Sequence, residues 1–208
     1  MNVKRLGIQI VLVLAVIFLT FKIYNSIMEP VRFKSTIAKR EDVIKERLGY
    51  IKTLEIEYRK INSNYTGGFD TLIDFYNNGI MPLVLKHGSV PDTLTELQAL
   101  EMGIITRDTT EIAIKDTLFQ GIEDFNINKI EFVPFTHNKI KFLLKAGSVI
   151  RANFKIPVFE ARCEMKDYLS DIEQQDLLKN EISIIIEEEK FPGLILGSME
   201  EPSTDGNW

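Results

Sequence analysis

The sequence predicts an α+β protein: an N-terminal transmembrane helix continuing into a long amphipathic helix, then an antiparallel sheet with short helices. Three observations carry that reading. An apolar run of nearly membrane length occupies Leu6–Phe21. A charged stretch with helical periodicity follows it, and no cluster of turn formers interrupts before Asn62. Beyond Lys129 the chain turns to short blocks of alternating apolar and polar residues.

Between Arg5 and Lys22 lie 16 residues without a formal charge. A helix of that length spans roughly 24 Å, short of the ~30 Å hydrocarbon core, and the gap closes if the helix runs on through Ile23–Met28. Residues 6–28 are thus the expected contact with a lipid bilayer, with Lys22 carrying its amine to the interface and Tyr24 in the aromatic belt. Pro30 is expected to break or kink the rod just outside, since it removes a donor and restricts the residue before it. The rival reading is a cleaved signal peptide starting at Lys4 and Arg5. The apolar run is long for that, and no small-x-small site follows it, which favours an uncleaved anchor. Lys22, Arg32, Lys34, Lys39 and Arg40 after the span would place the domain in the cytoplasm. A short basic start ahead of one early span is the usual form of an anchor with its domain outside, so charge leaves orientation open.

Charge is divided along the chain. Residues 1–60 hold 12 Lys and Arg against 6 Asp and Glu, and the remainder holds 13 against 24. A basic juxtamembrane stretch suits anionic head groups, while an acidic domain argues against nucleic acid as a partner. The single cysteine, Cys163, excludes an intrachain disulfide.

The charged helix has an apolar seam at Ile37, Ile44, Leu48, Ile51, Leu54, Tyr58 and Ile61, whose steps of three, four and seven keep to one helical face. Read as heptads, Arg40 and Arg47 fall at core positions, so only the distal half resembles a coiled coil. The seam packs either on the chain's own sheet, the favoured reading, or on a partner helix, and its seven residues are candidate partner contacts. Gly49 in mid-helix costs about 1 kcal/mol relative to alanine. It either admits a neighbouring strand or is merely tolerated.

Residues Asn62–Gly68 end this helix with turn formers. The expected organisation is an anchor over 1–30, an amphipathic stalk over 31–64, an α+β domain over 65–197 and a flexible tail over 198–208. Within the domain, a short helix is predicted over Asp70–Tyr76 and an edge strand over Ile80–Lys86, demoted by Pro82. A helix opens at a Thr93/Glu96 capping box, burying Leu94, Leu97, Leu100 and Met102. Strands are predicted around Thr110–Lys115, at Lys129–Pro134 and Lys139–Lys145 flanking a turn, and at Val149–Ile156. Another covers Val158–Asp167, with Phe159, Ala161, Cys163 and Met165 on one face. A helix over Ser170–Lys190 competes with a strand at Ser183–Ile186, and a short strand over Leu194–Leu196 precedes the tail.

Patterns of catalysis are thin. His87, Gly88, Ser89 and Asp92 contain triad letters, but triads assemble from distant segments. His137 falls in a turn. Two histidines and one cysteine lack zinc spacing, Glu187–Glu189 lacks a calcium loop, and no phosphate-binding glycine pattern occurs. No cofactor and no small-molecule substrate is therefore expected. Trp208, the only tryptophan, tips a polar tail and is a candidate anchor for a pocket.

Two resemblances add to this. The segments Tyr65–Ile73, Pro91–Glu96 and Phe191–Gly197, with the Gly206-Asn207-Trp208 ending, look like uncharacterised single-pass envelope proteins of Bacteroidota. That likeness implies an inner-membrane location with the soluble domain in the periplasm, and brings no activity. The long helix followed by an antiparallel sheet resembles type IV pilins and pseudopilins, as do Ile56–Tyr65 and the Lys4-Arg5-Leu6-Gly7 start. Leu12 stands where those proteins usually carry glutamate, five residues after the cleaved glycine. The expected function is a membrane-anchored, non-catalytic subunit of a cell-envelope assembly, working through contacts with other envelope proteins or its own copies. The alternatives are a pilin-like filament or secretion subunit, and an anchored enzyme with an unrecognised site.

Overall fold

The computed structural model describes residues 3–91, 95–123 and 125–208. Helix α1 (Val3–Asn62) runs without interruption through Pro30, and its N-terminal portion is long and apolar enough to cross a membrane. The break expected at Pro30 does not occur. A proline inside a helix costs about 3 kcal/mol, but α1 is held just beyond it by the head, beginning at Phe33, which is 4% exposed. Most helix stability in proteins comes from such packing.

The same contact redraws the organisation. From Phe33 onward α1 is the central helix of the head, not a stalk beneath it. Ile44, Leu48, Ile51 and Leu54 are wholly buried in one core with Phe159, Ala161 and Cys163. At Gly49 an added Cβ would meet nothing within 4 Å, so this glycine serves no close approach and is simply tolerated.

Helix α2 (Phe69–Asn78) follows a short loop and buries Phe69, Leu72 and Phe75 on one side. Strand β1 (Ile80–His87) then pairs antiparallel with β2 (Thr106–Ala113), from Ile80↔Ala113 to His87↔Thr106, as a separate two-stranded ribbon. Helix α3 (Glu96–Glu101) sits between them. Its cap is Thr95 with Gln98, a reciprocal capping box two residues later than expected; Thr93 and Leu94 lie outside the described residues. Leu97 and Met102, expected inward, are both 67% exposed, and only Ala99 is buried. A helix of six residues is too short to present the wide apolar face that the pattern implied.

The main sheet has the order β3–β4–β5: β3 (Leu143–Arg151), β4 (Phe154–Glu164) and β5 (Gly193–Gly197), all antiparallel. The first turn of this sheet falls inside the strand expected at Val149–Ile156. Ala152 and Asn153 both have positive φ, 47° and 67°, and they make a tight hairpin. Two-residue hairpin turns require that conformation, and alanine signals it poorly. The strand expected at Lys129–Pro134 is reduced to one bridge, Phe132↔Lys141, because Ile127–Lys129 forms a 3-10 turn instead. Helix α4 (Met165–Tyr168) ends the run of β4, and α5 (Gln175–Glu187) includes Ser183–Ile186, which excludes the strand alternative there.

The C-terminal residues are pinned rather than free. Gly197, at φ 75°, turns the chain; an added Cβ would sit 2.3 Å from the Phe159 carbonyl. The tail then returns along β5, with a bridge at Leu196↔Gly206 and Asn207 N–H donating to the Ile195 carbonyl at 3.0 Å. Polar composition did not leave it disordered, because an unpaired strand edge satisfies its backbone groups.

Candidate functional site

The residues singled out by sequence separate into an inner and an outer set. Ile44, Leu48, Ile51 and Leu54 have no exposed surface, and Ile37 and Tyr58 are partly buried against the same core. Six of the seven seam residues therefore pack within the chain's own head, four of them with no exposed surface and Ile37 and Tyr58 in part. Ile61 is 42% exposed and Trp208 51%, and these two remain as outward contacts.

Polar residues at seam positions join the helix to the head. Arg40 donates to the Tyr168 carbonyl at 2.7 Å, pairs with Asp171, and lies over the Phe135 ring with its guanidinium carbon 4.9 Å from the centroid. The arginine holds the Asp171 carboxyl below its ordinary range. Arg47 donates to the carbonyls of Lys129 and Phe132 at 3.1 and 3.0 Å, and burial lowers its guanidinium from the ordinary value. A guanidinium carries five donors, so one side chain can satisfy several loop carbonyls that no strand partner reaches. Tyr168, buried under the sheet, donates its hydroxyl to Glu41 Oε1 at 3.1 Å, and burial raises its phenol.

Glu55 is the one buried acid of the helix. Its Oε2 accepts from the Thr66 backbone N–H at 3.0 Å, and its Oε1 has no hydrogen-bond partner. Burial pushes its carboxyl up to about 8, against a smaller lowering by the Thr66 N–H. A neutral carboxyl is the form that such a site tolerates at neutral pH. Sequence reading missed Arg40, Arg47 and Glu55 as structural joints. The signal was present for all three: the arginines occupy core heptad positions, and Glu55 lies four residues after Ile51 and seven after Leu48, on the seam's own face.

Other flagged residues stay apart. His87 and His137 are exposed, and Asp92 lies outside the described residues. Cys163 is buried in the sheet, and burial raises its thiol to about 12, so it is a packed side chain without thiolate character. Trp208 lies across Gly206, where an added Cβ would fall 2.3 Å from the indole. It borders an open groove of ≈ 550 Å³ with Met165, Ile185, Lys190, Phe191 and Glu41.

A second outward surface lies on the β1–α3–β2 arm. Ile80, Leu97, Met102 and Ile104 are 42–67% exposed there, and every described side chain from Thr106 to Glu111 faces solvent. No protein family, curated protein or solved structure matches this chain.

Proposed function

We propose that this protein is a membrane-anchored, non-catalytic subunit of a cell-envelope assembly that works through protein contacts. The observation that carries the reading is the division of α1. Its side chains from Gly7 to Ile23 are exposed and almost all apolar, while from Phe33 it is the core of the head. A helix continuous between the two fixes the head close above a bilayer, and leaves the apolar arm for a partner. In this reading the anchor lies in an inner membrane with the head in the periplasm. The full-length protein should resist carbonate extraction from native membranes. Crosslinkers placed at Leu97 and Met102 should trap a defined partner or a second copy. Soluble full-length protein, or an arm that crosslinks to nothing, would defeat the proposal.

A pilin-like subunit is the second reading, favoured by a helix whose exposed apolar first part leads into a part packed on an antiparallel sheet. Intact-mass analysis of the mature protein separates the two. Cleavage after Gly7 supports the pilin reading, and retention of Lys4 and Arg5 excludes it.

A further inference from the structure

The β3–β4 hairpin has a charge and an exposure unlike the rest of the head. Residues 132–159 contain five of the 13 Lys and Arg beyond residue 60 and none of the 24 Asp and Glu. The hairpin's end also carries Ile150 and Phe154, 76% and 73% exposed, more than any other large apolar side chain of the described chain. Basic and apolar groups coincide there on an otherwise acidic domain.

Register places them in a particular way. Ile150 lies opposite Lys155, and Arg151 opposite Phe154. Cross-strand partners share a face and successive residues alternate, so each face of the tip carries one apolar and one basic side chain. Arg151 donates only to the neutral Glu200 carbonyl at 3.4 Å, and Lys155 has no ion-pair partner among the described residues. Neither charge has an ion-pair partner among the described residues, and the tail segment beside Arg151 carries Glu200 and Glu201. The last wholly buried residue of β4 is Val158, 1% exposed; Ile156 and Pro157 are half-buried, and Phe154 and Lys155 at the tip are exposed.

The tip also stands at a defined end of the molecule. Tyr65, just past the C-terminus of α1, packs its ring 4.7 Å from that of Phe159, and Gly67 abuts the Ala146 backbone. At the other end of the sheet, Tyr168 meets Glu41. Strand β4 therefore runs back along α1, and the hairpin leaves the head at the end remote from the apolar segment.

We propose that the β3–β4 tip is a docking finger for an anionic lipid surface, distinct from any bilayer that holds α1. Anionic head groups complement Arg151 and Lys155, and the interfacial layer can receive Ile150 and Phe154 together because it surrounds the tip on both faces. A flat protein surface would meet only one face. This inference goes beyond the subunit role proposed above and does not require it.

The test uses the full chain in discs of neutral phosphatidylcholine, mixed with separate vesicles of phosphatidylglycerol and phosphatidylcholine. Phe154→Trp in a Trp208→Phe background makes the tip the only source of indole fluorescence. The emission should shift blue on adding anionic vesicles and be quenched by brominated acyl chains confined to those vesicles. Affinity should fall about tenfold or more from low to physiological salt, as electrostatic lipid binding does. It should fall by a similar factor in Arg151→Gln with Lys155→Gln. Unaltered protein, reporting through Trp208 at the other end, should show no quenching. An unchanged emission, or an equal response to neutral vesicles, would overturn the proposal. So would a shift produced by polyglutamate but not by vesicles, which would assign the tip to an acidic protein instead. A chain that fails to enter the discs would bear on the anchor alone, and the tip can then be tested against the vesicles directly.

Discussion

Sheet β3–β4–β5 lies on α1, and its inward side chains Phe159, Ala161 and Cys163 are at most 4% exposed. The β1–β2 ribbon has a longer uninterrupted register than β4–β5, eight paired residues against five, yet its described side chains are largely in solvent. Pairing is thus equally regular in both, and burial is what separates them. An isolated two-stranded ribbon is marginal in water, whereas a sheet with an apolar face on a helix is stable. The first region stores the fold's stability and the second offers surface, and on that ground the arm rather than the helix seam is the contact we propose for a partner.

The comparison is most sharply broken at Ile51. Ile51→Asp places a charge at a site with no exposure and no counter-ion, and should cost the head about 3–5 kcal/mol in chemical denaturation. If the head unfolds at unchanged denaturant while oligomers vanish, the seam is intermolecular and the division is wrong.

Glu55 gives an effect of pH that the arm should not share. Its carboxyl is raised from an ordinary 4.5 to about 8. The folded head therefore holds a proton that the unfolded chain has released between those values. Stability contributed by neutral Glu55 is fully present below about 4.5, falls as pH rises, and is lost above about 8. The loss across that window is of the order of a few kcal/mol, since each unit corresponds to about 1.4 kcal/mol. Glu55→Gln should flatten the slope, read as the change of melting temperature between pH 5 and 8. A slope that survives the substitution places the titrating group elsewhere.

The smallest effect on stability is expected in the arm. Leu97→Ser with Met102→Ser removes two largely exposed side chains, and should shift unfolding by no more than about 0.5 kcal/mol. In the proposed role, a crosslinker placed at Ile104, 42% exposed on the same arm, should trap less partner in this variant than in the unaltered protein. A large loss of stability would mean that these residues pack against the head, and the contrast between the two regions would fail.

Much of this was legible in the residues, for reasons that differ by element. The alternation Phe159, Ala161, Cys163 marks a buried strand face because a strand's period is two, and all three are buried. Ile44, Leu48, Ile51 and Leu54 mark the inner face of α1 because three- and four-residue steps return to one side of a helix. The turn at Ala152–Asn153 was only half legible, since Asn153 adopts positive φ readily whereas Ala152 gives no such signal. The shift of the α3 cap from Thr93 to Thr95 has a similar origin: both threonines have a polar residue three positions on, and sequence cannot rank them.

What the sequence by itself determined is local: an apolar segment of membrane length, a helix with one buried stripe, and strands of alternating burial. Each follows from a period of side-chain polarity along the chain, which needs no knowledge of neighbours. The tertiary structure decided what the stripe is for, carrying α1 through Pro30 into the head and filling the seam with the chain's own sheet. It also turned Arg40 and Arg47 from interruptions of a coiled coil into joints for loop carbonyls, and pinned a polar tail along β5. Those outcomes depend on which backbone groups and apolar faces meet between segments from 12 to 131 residues apart, and a one-dimensional pattern does not contain that distance information.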